Sequence, residues 1–566
     1  MLDTQQVLHD HFPSVANHKL LKKPASALLK RLLCEQQINA FESEYPHLSG
    51  FDFVEQVLEY FSFSYSVADH HRERIPEAGK VVIIANHPIG SLDGLALLKC
   101  IREIRSDVKV VANSMLMSIQ PLHEVLLPVN NMSGNTPKQN LKHINTHLQN
   151  DGALLIFPSG EVSRLRPQGV RDTKWHKGFL NMARNNQCPI LPIYIDAKNS
   201  PLFYGVSMLF KPAATALLVK EMFHQKDKSI RVKIGDLIPY SAFSGMSLPI
   251  KVQVNLFKKH LYRVAKNKTP LFQTQCAIAL PEERRALLKA LNAECELLGR
   301  TQDGKCIYLY RYTHSSPIMR ELGRLRELTF RAVGEGSNKR RDVDKFDKHY
   351  IHLILWDEKD LEIAGAYRFG DAKHANDPST TLYSSTLFNY TDAMQPYLNA
   401  GLELGRSFVQ QKYWGKRSLD YLWMGIGAFL RKHPQYRYLF GPVTLSGALP
   451  AAATELITSF FLHYFPAEQT LALAKTPYCG SAQQHHLFND VTYDEGMQVL
   501  KAQLANLNVT LPTLYKQYAE LCVQGGVSFS AFNIDPDFQD CIDGLVVVDI
   551  TKIKEKKRAR YLGRSH

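Results

Sequence analysis

From Val81 to Gly235 the chain alternates short apolar runs with stretches whose apolar residues recur at helical spacing. VVIIA (81–85), VKVVA (108–112), ALLIF (153–157) and PILPIYI (189–195) are short and uniformly apolar, the pattern of strands buried on both faces. Between them, GLALLKCIREI (94–104) and KQNLKHINTHL (138–148) carry helical periodicity. Strand–helix alternation predicts an α/β domain with a mostly parallel sheet flanked by helices, since parallel neighbours need crossover connections.

At 566 residues the chain is too long for one ordinary core. After a basic helical stretch, 251–268, the pattern gives way at KNKTPLFQTQ. A helix, PEERRALLKALNAECELL, then opens a second unit: strand CIYLYRY, helix IMRELGRLRELTFRAV, polar loop, strands IHLILWD and EIAGAYRFG, AGLELGRSFV, helix LDYLWMGIGAFLRKHP and strand YRYLFGPVTLS. That order predicts a mixed α+β sheet. The resulting division is a basic amphipathic helical region (1–75), an α/β domain (76–265), a linker (266–285) and an α+β domain with a basic tail (286–566).

Nine cysteines, odd in number and without a C-x-x-C pair, argue against a disulfide framework and a zinc site, and no metal or bound cofactor is expected. No basic n-region precedes an apolar run at the start, so no signal peptide is expected. The most apolar segment, Ser200–Val219, contains Lys211 and two prolines, which suits a buried or interfacial position better than a span. The formal charge of +14 calls for an anionic partner. Lys19, Lys22, Lys23, Lys30 and Arg31 interleave with leucines, and TKIKEKKRARYLGRSH closes the chain. Basic charge beside an apolar helical face suits a membrane surface with anionic lipids, and a solvated charged face is the plainer alternative. Nucleic acid is disfavoured, because the basic clusters lack interleaved aromatics and no recognition motif is present.

ANHPIGSLDG puts His87 and Asp93 just past a strand's C-terminal end, the edge of an open α/β sheet where ligands sit. Acylating a hydroxyl requires removing its proton as the oxygen attacks a thioester carbonyl. An imidazole does this when a carboxylate fixes its tautomer and stabilises the imidazolium. IFPSGEVSR (156–164) and WHKGF (175–179) follow, ahead of the fourth strand.

This set of blocks resembles the glycerolipid acyltransferase family over roughly Val81–Pro239. The resemblance implies His87 as general base, Asp93 as its orienting partner, and Pro158, Gly160, Glu161, Arg164 and Lys177 as parts of an acceptor-binding wall. Two departures, Asp six rather than five residues after the His and Ser159 where the family has Glu, point to an acceptor other than lysophosphatidate.

Arg320–Ser446 resembles the GNAT-superfamily N-acyltransferases, above all the ornithine N-acyltransferases and acyl-homoserine-lactone synthases. FRAVGEGS (330–337), RDVDKFDKHYIHLILWD (341–357), AGAYRFG (364–370), LELGRSFV (402–409), LWMGIGAFL (422–430) and LFGPVTLS (439–446) carry the likeness. Asp342, Asp344 and Asp347 form an acidic cluster that either holds a cationic amino acid or is a surface loop. Arg331, Arg368 and Arg406 suit the amino acid's carboxylate, or salt bridges to those aspartates. Glu403 is the candidate for amine contact or proton acceptance, while Phe408 and Trp423 pack a core or line an acyl groove.

The fusion of the two halves resembles the bifunctional ornithine lipid synthases. That implies a peripheral enzyme on the cytoplasmic side of the inner membrane, with acyl carrier protein, or else coenzyme A, carrying the acyl donor. Ornithine would be acylated on nitrogen first, and the resulting lyso-ornithine lipid on its 3-hydroxyl second; the alternative is a lysophospholipid or glycerol-phosphate acyltransferase fused to an N-acyltransferase for glycine, lysine or glutamine.

Overall fold

A computed structural model describes residues 34–112, 117, 119–129, 137–209, 211–374, 381–480 and 485–563. The chain divides into two compact units between Ala277 and Ile278. The basic leucine-rich stretch at 19–33 lies outside the described residues.

The first unit holds a seven-stranded sheet. Its strands are β1 (Ser64–Val67), β2 (Val81–Ala85), β3 (Lys109–Ala112), β4 (Leu126–Pro128), β5 (Ala153–Ile156), β8 (Ile190–Asp196) and β9 (Ser229–Ile234), with the hairpin β6 (Arg164–Arg166) and β7 (Gly169–Arg171) outside it. The order is β1-β9-β8-β2-β5-β3-β4, parallel throughout except β8–β9. Alternation along β2 explains the two-sided apolar run: Val81, Ile83 and Ala85 enter one core, and Val82 and Ile84 enter the other. Residues 50–75 belong to this unit. Val54, Leu58, Phe61, Phe63 and Ile75 pack into the same core as β2, and β1 pairs with β9 at the sheet's edge. Ser200–Val219 resolves into helices Pro201–Leu209 and Lys211–His224, and among the described residues no helix is long and apolar enough to cross a membrane.

The second unit is α+β. Its strands are β10 (Cys295–Arg300), β11 (Cys306–Arg311), β12 (Ile351–Asp357), β13 (Glu362–Asp371), β15 (Gly401–Val409), β16 (Tyr438–Leu445), β18 (Val527–Asp535) and β19 (Cys541–Asp549), with β14 (Phe388–Tyr390) and β17 (Ala472–Ala474) paired separately. The eight-stranded order is β10-β11-β12-β13-β15-β16-β19-β18. All neighbours are antiparallel except β15 and β16, which are paired only over Gly401–Glu403 and Tyr438–Phe440. Helices Arg284–Glu294 and Pro317–Ala332 cover one face, and Ser418–Lys432 and Ala451–Tyr464 the other.

The helix expected over 281–298 stops at Glu294, and CELLGR becomes β10. Leu287, Ala290 and Leu291 bury the helical face, while backbone pairing of Cys295–Arg300 with β11 captures the rest. The strands β18 and β19 extend the sheet beyond the elements placed from sequence. The basic tail also has a structural role: helix Glu555–Tyr561 packs against Ser418–Lys432, with Tyr561 buried and bonded to Asp420.

Candidate active sites

In the first unit, strand β2 ends on Asn86, whose amide ties β2 to β8 through paired bonds with the main chain of Ile195, 2.8 and 2.7 Å. His87 follows at once. Its main chain is held from both sides: its N–H donates to Asp172 Oδ1 (3.2 Å), and its carbonyl accepts from the Ser163 N–H (2.7 Å). Asp93 lies in the first turn of helix Ser91–Arg102, where its carboxylate accepts the N–H groups of Ile89 and Gly94. That placement favours an anion at a helix N-terminus. His87 Nδ1 stands 3.1 Å from Asp93 Oδ1; the aspartate is fully buried, while a fifth of the histidine side chain reaches solvent. Phe157 lies against the imidazole, the two rings tilted by 30° with centroids 4.2 Å apart. Burial opposes protonation of His87, but the charge and hydrogen bond of Asp93, with the charge of Asp172, more than offset it and raise its pKa.

The hairpin β6–β7 closes on this pair. Ser163 Oγ donates to Asp172 Oδ1 (2.5 Å) and Trp175 Nε1 to Oδ2 (2.8 Å), so the block Phe157–Trp175 is knotted around Asp172. Gly160 takes a left-handed backbone, φ 62°, in the turn after Pro158. Glu161 accepts from Thr173 Oγ1 and lies 3.6 Å from Arg164. Arg164 donates to Ser207 Oγ and lies over the ring of Phe203, while its buried Nε meets no acceptor among the described residues. Lys177 is exposed just before helix Gly178–Asn185. His87 and Asp93 therefore meet, with Glu161 and Arg164 on the adjoining segment and Lys177 at the surface. The pair can take a proton from a hydroxyl through Nε2 while Asp93 holds the opposite nitrogen. Asp172, which sequence reasoning passed over, fixes the main chain of His87; its position beside WHKGF is the only signal the sequence offers.

In the second unit β15 bulges opposite β13. Ala366 pairs with Phe408 and Arg368 with Gly405, leaving Arg406 in a left-handed conformation, φ 47°. The three aspartates, for which the sequence leaves both a cationic amino acid and salt bridges to arginines open, are matched by three arginines. Asp342 meets Arg406 (3.0 Å), Asp344 meets Arg368 (2.7 Å) and Arg406 (3.5 Å), and Asp347 meets Arg326 (2.7 Å) and Arg368 (3.0 Å). Burial opposes ionisation of Asp347, but Arg326 and Arg368 hold its carboxyl far below the usual range. The network neutralises itself. Arg331 stands apart from it and pairs with Glu327.

Glu403 is buried with both oxygens occupied, accepting from the Tyr350 and Ser384 hydroxyls and from the N–H groups of Tyr383 (3.1 Å) and Ser384 (2.7 Å). This makes it the anchor of the 383–384 segment rather than a free proton acceptor. Phe408 and Trp423 are core residues.

Carboxylates without an ion pair among the described residues lie nearby. Asp543 on β19 is 4% exposed and bonded to Thr444 Oγ1 (2.6 Å); burial pushes it up to about 6. Asp535, at the end of β18, is also raised by burial and accepts from the Tyr383 hydroxyl (3.3 Å). Glu335, in the turn after helix Pro317–Ala332, is pushed up to about 8 by burial and by the charge of Asp543. Tyr383 and Phe538 sandwich Arg406 at 4.5 and 4.4 Å. Glu335 sits inside FRAVGEGS and Asp543 inside the closing DGLVVVDI stretch, but neither stood out by residue type.

The family model "Acyltransferase" matches residues 6–269, and "Acetyltransferase (GNAT) domain" matches residues 325–424. The chain is an acyltransferase. The enzyme joins an acyltransferase domain to a GNAT domain. It is 29% identical over 302 residues to the glycine N(alpha)-acyltransferase of Bacteroides thetaiotaomicron, spanning 50% of this chain and 89% of that protein. It is 27% identical over 256 residues to the lyso-glycine lipid O-acyltransferase of the same organism, spanning 44% and 92%. It is 28% identical over 242 residues to the L-ornithine N(alpha)-acyltransferase of Rhizobium meliloti, spanning 42% and 74%.

Proposed function

We propose that the enzyme builds a two-chain amino-acid lipid, acylating the α-amine of ornithine in the second unit and a hydroxyl of the product in the first. The observation that carries the proposal is the His87–Asp93 pair in a chain that also holds a GNAT domain. Two relatives named for the successive steps of one lipid are each matched over about nine-tenths of their length, by 50% and 44% of this chain.

The amine attacks the thioester carbonyl of a 3-hydroxyacyl donor, the thiolate leaves, and the nitrogen's proton passes to a carboxylate. Glu335, with its pKa raised to about 8, suits that acceptance. The new amide carries the 3-hydroxyl that the second step needs, so nitrogen is acylated first. The hydroxyl oxygen then attacks a second thioester as His87 Nε2 takes its proton, and Asp93 stabilises the imidazolium. The departing thiolate recovers the proton. Arg164, whose buried Nε meets no acceptor among the described residues, is the donor assigned to the lipid's carboxylate.

Ornithine is favoured because Asp535 and Asp543, unlike Asp342, Asp344 and Asp347, form no ion pair with an arginine among the described residues, although the charge of Arg406 reaches both, and suit a second ammonium. Glycine is the second reading, favoured by the 29% identity to the glycine enzyme. The acyl donor is carried by acyl carrier protein, whose acidity suits the +14 balance, and the enzyme works peripherally on the cytoplasmic face of the inner membrane. Feeding a host that expresses the full chain with labelled ornithine or glycine, followed by lipid mass spectrometry, tests the acceptor. Label from ornithine in a two-chain lipid is the expected result; label from glycine selects the second reading, and no new amino-acid lipid overturns both.

A further inference from the structure

The hairpin β6–β7 and the helix Ile250–Val264 border a groove of about 680 Å³. Six of its side chains are cations: Arg166, Arg171, Lys174, Lys177, Lys251 and Lys258. Asp172 is the one acid in the lining, and its carboxylate is taken up by Ser163, Trp175 and the His87 N–H. Lys258 donates to the main-chain carbonyls of Asp172 (2.8 Å) and Thr173, and Arg171 lies over the ring of Tyr262. Among the described residues none of the six forms an ion pair with a carboxylate.

Burial and the charges of Arg166 and Arg171 oppose the charge on Lys258, and an entering anion would relieve that opposition. A concave site suits a discrete anion, with several oxygens to share among the donors, better than a flat surface. The groove also adjoins the His87 site. Asp172 is their common wall, gripped by Lys258 through its carbonyl and bonded through its carboxylate to the main chain of His87.

We propose that this groove binds the phosphate on the pantetheine arm of the acyl donor and so aims the thioester at His87. The proposal rests on the amino-acid-lipid reading above, in which the hydroxyl acceptor contains no phosphate and the donor is the reactant that does. Carrier-protein-bound phosphopantetheine and coenzyme A share this chemistry.

The test uses the full-length enzyme and its Lys174→Glu/Lys251→Glu variant, with acyl carrier protein and coenzyme A thioesters titrated separately against a supplied N-(3-hydroxyacyl)ornithine. The expected result is a donor KM raised roughly tenfold with the acceptor KM unmoved, and recovery in Lys174→Arg/Lys251→Arg. A rise with both donors supports the shared phosphate, and a rise with one identifies its source. An unchanged melting temperature and intact N-acylation show that the variant is folded. A rise in acceptor KM alone makes the groove a headgroup site and overturns the proposal. Loss of binding to anionic vesicles with donor KM unmoved makes it a membrane contact and also overturns it, as does no change at all. Wild-type enzyme that acylates lysophosphatidate but not the amino-acid lipid would instead sink the functional reading, and the donor titration is then run on lysophosphatidate.

Discussion

Nδ1 of His87 stands 3.1 Å from Oδ1 of Asp93, and the two differ sharply in environment: the carboxylate is wholly buried and the imidazole keeps an open edge. A buried anion thus holds one nitrogen while the other stays available. Asp93→Asn removes the charge but not the shape, so O-acylation falls on the order of 10²- to 10⁴-fold while N-acylation is unchanged. Separate assays with free amino acid and with supplied lyso-lipid read the two rates. Equal losses in both would point to misfolding instead.

The raised pKa of His87 fixes the sign of a pH effect. The base must be neutral, and a raised pKa keeps it protonated to a higher pH than the ~6.5 of free imidazole. The kcat/KM for O-acylation therefore climbs with pH through a midpoint above that value. In Asp93→Asn the residual activity has its midpoint lower, and a midpoint that does not move contradicts the assignment.

As the proposed proton acceptor, Glu335 would give the amine step its own profile. Burial raises its carboxyl to about 8, so the accepting carboxylate form grows as the pH rises through that range, and N-acylation rises with it. Glu335→Gln flattens that limb and lowers kcat by on the order of 10²-fold. An unaltered profile in the variant assigns the proton to another group.

The Asp–Arg network is a stability element. Arg368→Ala leaves Asp344 and Asp347 short of a partner in a buried setting, which costs about 3–5 kcal/mol. Thermal melting should show the loss, with N-acylation falling and O-acylation spared. Because Asp347 is held far below the ordinary carboxylate range, its contribution is full above about pH 4 and is lost as the pH falls further.

The tail can be tested at one glycine. A Cβ on Gly427 would strike the carbonyl oxygen of Tyr561, so Gly427→Ala should release helix Glu555–Tyr561 and expose it to limited proteolysis. A protease pattern matching wild type would contradict the docked arrangement.

The apolar runs of β2, β5 and β8 were legible because strands buried on both faces have no polar positions to blur them. His87 and Asp93 were legible because six residues of one turn bring them together. Of the two readings open for the acidic loop, pairing with Arg368 and Arg406 is the one found; Arg326 went unseen because it comes from a helix, while the other two arginines come from neighbouring strands. Glu335 and Asp543 escaped notice for a related reason: they lie 208 positions apart in the chain (543 minus 335), and burial rather than residue type sets their protonation. The segment 50–75 read as separate because β1 finds its partner, β9, some 165 positions later (Ser229 against Ser64).

The proposed two-step acylation in one chain depends on the imidazole that follows β2. The most direct check is mass spectrometry of lipids from a host expressing either the full-length enzyme or His87→Ala. The wild type should yield a two-chain amino-acid lipid, and the variant should stop at the single-chain amide. A two-chain lipid made undiminished by His87→Ala would contradict the scheme.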